Sequence, residues 1–189
     1  MPVPGVLVEI RDIDTGKVLG ANEVGMMWVR GRNVMKGYLN MPEKTKEVLV
    51  DGWYCTGDLA RMDEDGFVFI TGRQSRFSKI GGEMVPHEGV EKVIGEIIGL
   101  KPDDPLCVSV SSVEDKRKGE KLIVLYSDLK GHDKMDIIKE LLNRDVPPIW
   151  IPASDAFKKV DAVPVLGSGK LDIQGAKDLA QKLVGEKQA

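Results

Sequence analysis

The sequence has few of the residues that build disulfide-rich, metal-binding or membrane-spanning proteins. It contains two cysteines, Cys55 and Cys107, and two histidines in 189 residues. The cysteines are far apart and form no C-x-x-C pair, so no metal site is expected. No apolar run approaches the roughly 20 residues that a membrane-spanning helix needs. Free thiols and the lack of a secretory signal favour a reducing cytoplasm.

The charge balance argues against a polyanionic partner. Lysine and arginine number 27 against 30 aspartates and glutamates, which gives a net charge of -3. A chain without a net positive charge has no overall attraction for nucleic acid, so nucleic acid is not expected as a partner. The hydrophobic share of 42% is typical of a globular protein. The length fits one ordinary domain, or a small domain with part of another.

The first 72 residues have the pattern of β-strands separated by turns. A turn at Asp63–Gly66 is expected to bring Asp58 and Arg73 to one site. Asn40 is expected to cap a short helix that ends near Leu49. Too few helices accompany these strands to cover a sheet, which indicates a piece of a larger β-rich unit. The predicted strands are 5–12, 24–30 and 67–70.

The pattern from about residue 73 onward predicts a compact α+β domain. Pro86 is expected to open an amphipathic helix, and Asp133 and Asp172 are expected to cap two more. Helical spacing places Met135, Ile138, Leu141 and Leu142 on the apolar face of the second of these helices. The predicted strands 106–110 and 121–126 are joined by a charged tip, and an extended connection is expected at 147–152.

Two glycine-containing segments carry the other candidate site residues. The segment Pro164–Lys170 places Lys170 on a flexible Gly-Ser-Gly loop, from which it can reach a phosphate or a carboxylate. It is not a Walker lysine, because Leu171 stands where a Ser or Thr would bind magnesium. From spacing alone, an exposed lysine on a mobile loop is the simpler interpretation. The pair Gly81-Gly82 predicts a β-bulge.

Three motifs follow one another along the chain: Tyr54-Cys55-Thr56-Gly57-Asp58, then Gly72-Arg73 with Lys79 and Gly81-Gly82-Glu83, and finally Gly167-Ser168-Gly169-Lys170. In this order they resemble the adenylate-forming superfamily of acyl-CoA synthetases, peptide-synthetase adenylation domains and luciferase. Residues 24–40 also resemble the strand and G-Y-x-N segment that precede them in that family. Residues 75–86 and 165–170 are most similar to bacterial bifunctional enzymes that join an acyl-[acyl-carrier-protein] synthetase to a 2-acylglycerophosphoethanolamine acyltransferase.

The resemblance implies the C-terminal part of a longer enzyme. Residues 1–72 would be the β-rich tail of a large N-terminal domain, and residues 73–189 a small mobile C-terminal domain. The longer enzyme would use ATP and Mg2+ to activate a fatty acid as an acyl-adenylate. It would then acylate a phosphopantetheine thiol on acyl carrier protein or on coenzyme A. The phosphate loop, acyl pocket and magnesium-linked acidic motif of the family do not occur here, so the segment alone is expected to be inactive.

Two other functions stay open on the sequence alone. An acyl-CoA or aryl-CoA ligase would differ from the carrier-protein enzyme only in its acceptor. A segment that merely docks a carrier protein would bind that partner without chemistry. The expected location is the cytoplasm, and attachment of the longer protein to the cytoplasmic face of the inner membrane is left open.

The resemblance also implies roles for residues that contact the nucleotide and the acid. Asp58 is implied to accept hydrogen bonds from the two ribose hydroxyls, and Arg73 to reach the same sugar. The alternative for Asp58 is a turn at the end of a strand, and for Arg73 a surface salt bridge. Lys170 is implied to stabilise the charge that develops on carboxylate and phosphate oxygens as pyrophosphate leaves.

Further roles concern the thioester-forming step. Lys79 is implied to face the active site in that step, and Gly81 and Gly82 to let a pantetheine arm pass close to the backbone. Ser75 occupies the hinge position, where Asp or Lys is more usual. A carrier protein is expected to dock on basic residues, namely the tip Lys116-Arg117-Lys118 and, separately, Arg76.

Overall fold

The chain has a mixed α+β structure with two sheets. The computed structural model describes residues 1–185. The chain divides into two compact units, Met1–Ser75 and Arg76–Ala189. Each unit contains one five-stranded sheet. Among the described residues, no helix is long and apolar enough to cross a bilayer.

The first unit is an antiparallel sheet built around its longest strand, β4. The order of the sheet is β1-β2-β4-β3, and β5 also pairs with β4. Alternating apolar residues favour these strands, as the sequence predicts. The elements are β1 (Val6–Arg11), β2 (Gly25–Gly31), α1 (Pro42–Val48), β3 (Leu49–Val50), β4 (Trp53–Met62) and β5 (Val68–Arg73).

The hydrophobic core of the first unit is small. Its buried apolar side chains are those of Ile10, Met26, Leu59 and Ala60. The apolar residues at and just before β5 are open to solvent instead, with exposed fractions of 48% for Phe67, 42% for Phe69 and 65% for Ile70. A 75-residue unit with so little buried apolar surface is poorly stabilised by its own core.

The second unit has a mixed sheet with β9 at its centre. The order is β10-β9-β6-β7, with β8 along the other edge of β9. The strand β10 runs parallel to β9, and the other pairs in this sheet are antiparallel. The elements are β6 (Phe77–Ile80), β7 (Glu83–Pro86), α2 (His87–Ile97), β8 (Val108–Asp115), β9 (Gly119–Tyr126), α3 (Lys134–Asn143), β10 (Phe157–Lys159) and α4 (Ile173–Gly185).

Helices cover both faces of this second sheet. Successive side chains of a strand point to opposite faces, and along β9 they enter two different hydrophobic clusters. Each fully buried aliphatic side chain contributes about 1.5–3 kcal/mol, so these clusters hold the unit together. In the first cluster, Leu122 and Val124 of β9 pack against α2, its C-cap residue and α3. The residues are Val90 and Ile94 of α2, the C-cap Ile98, and Ile137 and Leu141 of α3. The second joins Ile123 and Leu125 to Ala176 and Ala180 of α4.

Two of the three helix-capping predictions are confirmed. Asp133 accepts a hydrogen bond from the backbone of Met135 at 2.7 Å, and Asp172 accepts one from Gly175 at 3.0 Å. The prediction for Asn40 is wrong, because α1 begins at Pro42 with Met41 as its N-cap. Proline fits the first helical position, where its fixed φ is already helical. Asn40 instead has a φ of 56°, which asparagine tolerates.

The predicted apolar face of α3 is partly wrong. Ile137 and Leu141 are the buried residues of this helix, whereas Met135 and Leu142 are exposed. Of the predicted residues, Leu141 is buried and Ile138 packs, partly buried, against the first cluster, whereas the prediction omits Ile137. The short strand β10 is absent from the sequence prediction, and the connection before it contains the 3-10 helices Pro148–Trp150 and Ser154–Ala156.

Candidate functional site

Asp58 and Arg73 form an ion pair in the first unit. They are directly opposite each other in the β4–β5 ladder, and Arg73 Nε lies 2.9 Å from Asp58 Oδ1. The Asp58 side chain is 17% exposed and that of Arg73 is 64% exposed. Asp58 lies inside β4 rather than at a strand end, so the turn interpretation of this residue does not apply. A carboxylate held in this way can still accept hydrogen bonds from a second donor, because it has about four lone-pair sites.

The backbone around Asp58 is fixed by its neighbour Thr56. The Asp58 amide donates to Thr56 Oγ1 at 3.0 Å, and the Thr56 hydroxyl donates to the carbonyl of Met27 on β2 at 3.0 Å. Gly57 between them has a φ of 75°, a left-handed conformation in which a Cβ would be strained. The Thr-Gly-Asp sequence therefore sets the direction of the Asp58 carboxylate.

Two tyrosines that the site prediction did not include lie near this pair. A hydrogen bond with Tyr38 and partial burial raise the pKa of Tyr54, and the Asp58 charge adds to the effect. The Tyr38 amide donates to Thr45 Oγ1 at 2.9 Å, which holds the segment after β2 against α1. The sequence signal that could have found Tyr54 is its place in the same short motif of β4 as Asp58. Aromatic rings beside a carboxylate suit an amphipathic ligand such as a nucleoside.

Lys79, Gly81 and Gly82 belong to one β-hairpin in the second unit. The strands β6 and β7 pair from Phe77↔Pro86 to Ile80↔Glu83, so Gly81 and Gly82 are the two-residue turn between them. Their φ values are 60° and 93°. The β-bulge prediction is therefore wrong. A two-residue type I′ turn needs positive φ at both central positions, and glycine meets that need without strain.

A cavity of about 310 Å³ lies beside this hairpin. Its volume is similar to that of the smaller ligand pockets of proteins. A Cβ on Gly81 would lie 3.9 Å from Ile149 Cδ1, one of the side chains of the wall. Its apolar lining includes Ile80, Leu122, Ile149 and Ile151, and its lysines are Lys118, Lys121 and Lys158.

Lys170 lies on a closed turn rather than on the expected flexible loop. Val165 and Leu171 form an antiparallel bridge, and the Leu166 amide donates to the carbonyl of Lys170 at 2.7 Å. Inside this pair, the Gly169 amide donates to the carbonyl of Leu166 at 2.8 Å. The backbone of Lys170 is thus held while the residue itself stays exposed. Such a lysine can meet an anion without first ordering its own main chain.

Comparisons with known proteins show what this chain is similar to. A profile described as AMP-binding enzyme matches residues 1–39. A long-chain-fatty-acid–CoA ligase of Bacillus subtilis (strain 168) is 31% identical over 172 residues, which are 90% of this chain and 29% of that protein. ATP-bound MatB from Rhodopseudomonas palustris matches with a TM-score of 0.73 and 30% identity, over 95% of this chain and 35% of that one. Over most of its own length, the chain is similar to this CoA ligase and to MatB.

A further solved structure is similar to this chain over most of its length. The o-succinylbenzoate CoA synthetase MenE from Bacillus subtilis, in complex with its acyl-adenylate intermediate, matches with a TM-score of 0.71 and 28% identity. That match covers 94% of this chain and 34% of MenE. The chain therefore has the α+β fold of adenylate-forming ligases of the acyl- or aryl-CoA type. It spans about a third of the length of the relatives named here.

Arg76, which follows Ser75 at the start of the second unit, is buried. It is 5% exposed, contacts the Glu91 carboxylate and donates to the carbonyl of Val110 at 3.3 Å. Glu91 in turn accepts a hydrogen bond from the Val110 amide at 2.6 Å. The expectation that Arg76 docks a carrier protein is wrong, because its guanidinium faces the interior. Charged side chains are rarely buried without such a partner.

His87 at the start of α2 is a second buried polar residue. Its Nε2 lies 2.6 Å from the hydroxyl oxygen of the buried Ser78. Burial, together with the positive charges of Arg76 and Lys177, lowers the pKa of His87 to about 3. Burial also raises the pKa of the Glu91 carboxyl, against the opposing effect of Arg76. His87 is therefore a neutral structural residue at neutral pH.

The described residues offer little for metal or thiol chemistry. Within 1–185, no group of three or more His, Cys, Asp or Glu is arranged to hold a metal ion. Cys55 and Cys107 are free cysteines, and burial is the largest factor that raises the pKa of the Cys107 thiol. A thiol with a raised pKa is a poor nucleophile at neutral pH.

Proposed function

We propose that this chain is the C-terminal part of an ATP-dependent fatty acyl ligase that forms an acyl-adenylate and transfers the acyl group to a phosphopantetheine thiol. The observation that carries the proposal is the ion pair between Asp58, the last residue of the Thr-Gly-Asp segment on β4, and Arg73 on the adjacent strand β5. The pair presents a shielded carboxylate next to an exposed guanidinium. That combination suits a sugar with two neighbouring hydroxyls and a nearby phosphate.

We also propose the domain arrangement of the longer enzyme. Residues 1–72 would be the tail of its large N-terminal domain and residues 73–189 its small C-terminal domain. The few buried apolar side chains of the first unit and its exposed Phe67, Phe69 and Ile70 support this division, because such a sheet face needs further chain to cover it. The second unit has two hydrophobic clusters and needs no such cover.

In the first half-reaction, a carboxylate oxygen of the fatty acid attacks the α-phosphorus of ATP. The bond to the bridging oxygen breaks, and pyrophosphate leaves. Asp58 would orient the ribose by accepting from its hydroxyls, and Lys170 would neutralise the charge that grows on the reacting oxygens. ATP supplies the leaving group that makes the acid reactive, and Mg2+ would be held outside this segment. The fixed backbone of Lys170 supports its role, since a preorganised cation loses little on binding.

In the second half-reaction, the thiol sulfur attacks the carbonyl carbon of the acyl-adenylate. The carbon–oxygen bond to AMP breaks, AMP leaves with the electron pair, and the thiol proton passes to solvent. Lys79 would face this reaction, and the side-chain-free turn Gly81-Gly82 would leave room for the pantetheine arm. The two lysines lie on different elements, β6 and the turn before α4, so rotation about a hinge at Ser75 would exchange them.

The proposal has three forms, two of which differ only in the acceptor thiol. The sequence similarity to the bifunctional synthetase/acyltransferase enzymes and the exposed tip Lys116–Lys118 favour an acidic acyl carrier protein. The fatty-acid and o-succinylbenzoate CoA ligases among the relatives favour coenzyme A, with a fatty or an aryl acid as substrate. A segment that only docks the carrier protein is the third form. The cytoplasm is the proposed location.

The test uses the longer enzyme that carries this segment. Pyrophosphate exchange with fatty and aryl acids reports adenylation, and acyl transfer to carrier protein and to coenzyme A reports the acceptor. Asp58→Asn should raise the KM for ATP about tenfold or more, since it removes a charge-assisted hydrogen bond. Asp63→Asn, in the turn between β4 and β5, is the matched control. Exchange activity that is equal in wild type and Asp58→Asn would contradict the proposed site.

A further inference from the structure

The β6–β7 hairpin is joined to the rest of its sheet by few main-chain contacts. In the described part of the sheet, Ile80↔Gly119 is the one paired position between β6 and β9. By contrast, β8 pairs with β9 at eight positions, from Val108↔Tyr126 to Asp115↔Gly119. The Gly81 amide adds one hydrogen bond to the carbonyl of Lys118, at 2.8 Å. Segments with so few backbone bonds open more readily than the strands beside them.

The side chain of Glu120 supplies the connection that the ladder lacks. Its Oε2 accepts a hydrogen bond from the backbone amide of Lys79 at 2.6 Å. Its Oε1 accepts a hydrogen bond from the hydroxyl of Ser112 on β8 at 2.7 Å. One carboxylate therefore links β6, β8 and β9. Hydrogen bonds to an ionised acceptor are shorter and stronger than those between neutral groups.

We propose that Glu120 is a positioning residue for thioester formation. It fixes the backbone of Lys79, and through it the Gly81-Gly82 turn, in the geometry that the acceptor thiol needs. The inference rests on the proposed function, because it assumes that Lys79 and this turn serve the second half-reaction. Ser112 orients the Glu120 carboxylate and so belongs to the same unit. Adenylation is served by Lys170, which lies on a different element, and does not depend on Glu120.

The two hydrogen bonds of the Glu120 carboxylate indicate which variants test the proposal. Glu120→Gln keeps an oxygen that can accept from the Lys79 amide and an NH2 group that can donate to the oxygen of Ser112. Glu120→Ala removes both contacts. Glu114 lies directly opposite Glu120 in the β8–β9 ladder. Glu114→Ala therefore removes the same charge from the same surface and leaves both Glu120 contacts in place, which makes it the matched control.

The first measurement is amide hydrogen exchange by NMR on the 189-residue chain. Glu120→Ala should speed exchange of the Lys79 and Gly81 amides at least about tenfold relative to wild type, because a hydrogen bond to a charged group is lost. Glu120→Gln should restore most of the protection, and Glu114→Ala should change neither amide. Equal protection in wild type and Glu120→Ala would overturn the structural basis of the inference. This arm involves no activity, so its outcome is independent of the proposed function.

The second measurement separates the two half-reactions in the longer enzyme. Glu120→Ala should lower the kcat for transfer from preformed acyl-adenylate about tenfold or more, with pyrophosphate exchange within about twofold of wild type. Glu120→Gln should recover most of the transfer rate. Equal losses in both half-reactions, or unchanged transfer despite faster amide exchange, would overturn the positioning role. A wild-type enzyme that forms no thioester would instead overturn the proposed function itself.

Discussion

Acidification should destabilise the second unit through His87, which is buried against Ser78 and close to the positive charges of Arg76 and Lys177. Its pKa is about 3 in the folded chain and 6.5 in the unfolded chain. The unfolded state therefore takes up the proton first as the pH falls. The stabilisation from neutral His87 is fully present above pH 6.5 and is lost progressively between pH 6.5 and about 3.

The size of the effect follows from the separation of the two pKa values. Each pH unit between them costs about 1.4 kcal/mol for one proton, so the free energy of unfolding should fall by about 2 kcal/mol from pH 7 to pH 5. Glu91 acts in the opposite direction, because its raised pKa favours the folded state as it takes up a proton on acidification. The contribution of His87 is therefore obtained by comparing how much unfolding free energy the wild type and a variant without this imidazole each lose on acidification.

Urea unfolding of the whole chain measures this difference. The helical far-UV CD signal reports mainly on α2, α3 and α4, all in the second unit. His87→Gln keeps an oxygen that can accept a hydrogen bond from the Ser78 hydroxyl. It should lose much less unfolding free energy between pH 7 and pH 5 than the wild type does. His132→Gln replaces the exposed histidine and should keep the wild-type pH dependence. The reasoning is refuted if wild type and His87→Gln lose the same free energy on acidification.

Three further changes test other parts of the structure. Arg76→Ala should reduce the free energy of unfolding by about 3–5 kcal/mol because it leaves the buried Glu91 without its cationic partner, whereas the double change Arg76→Met with Glu91→Gln, which keeps an oxygen for the Val110 amide, should cost less in the same urea assay. Lys170→Ala in the longer enzyme should slow pyrophosphate exchange by about 10² or more and leave transfer from preformed acyl-adenylate nearly intact; equal losses would contradict that division. Charge reversal of all three residues of the tip Lys116–Lys118 should slow acyl transfer to carrier protein in a salt-dependent way, with transfer to coenzyme A unchanged, if the tip steers an acidic partner.

The elements of the second unit were largely predictable because local chemistry and tertiary packing agree there. Asp133 and Asp172 cap helices as their side chains favour, and Pro86 immediately precedes α2. Strand and turn patterns also located the β8–β9 hairpin, although β8 extends further along the chain than predicted. The strands β6, β7 and β10 are absent from the sequence prediction, because runs of three or four residues carry too little period-2 pattern to distinguish them from a loop.

The errors share one cause, which is that the sequence does not show what a residue will face. Arginine is usually found at the protein surface, so the sequence favours an exposed Arg76. The hint of a buried partner is the position of Glu91, one helical turn after Glu88. Gly81-Gly82 fits a bulge or a turn equally well until the register Ile80↔Glu83 is known. The turn that brings β4 and β5 together was predictable, but the pairing of Asp58 with Arg73 also depends on a register shift between Leu59 and Ala60 that the sequence does not show. Glu120 acts across three strands, and no local pattern points to it.

The Gly81-Gly82 turn has a consequence for chirality. Both residues adopt φ values that are the mirror image of those preferred by L-amino acids. A D-amino acid prefers this region for the same steric reason that an L-amino acid avoids it. Chemical ligation of a segment with D-alanine at positions 81 and 82 would therefore keep the backbone of the hairpin and remove the conformational freedom that glycine gives the unfolded chain. The turn is thus a place where the handedness of the residue, rather than the size of its side chain alone, decides whether the hairpin forms.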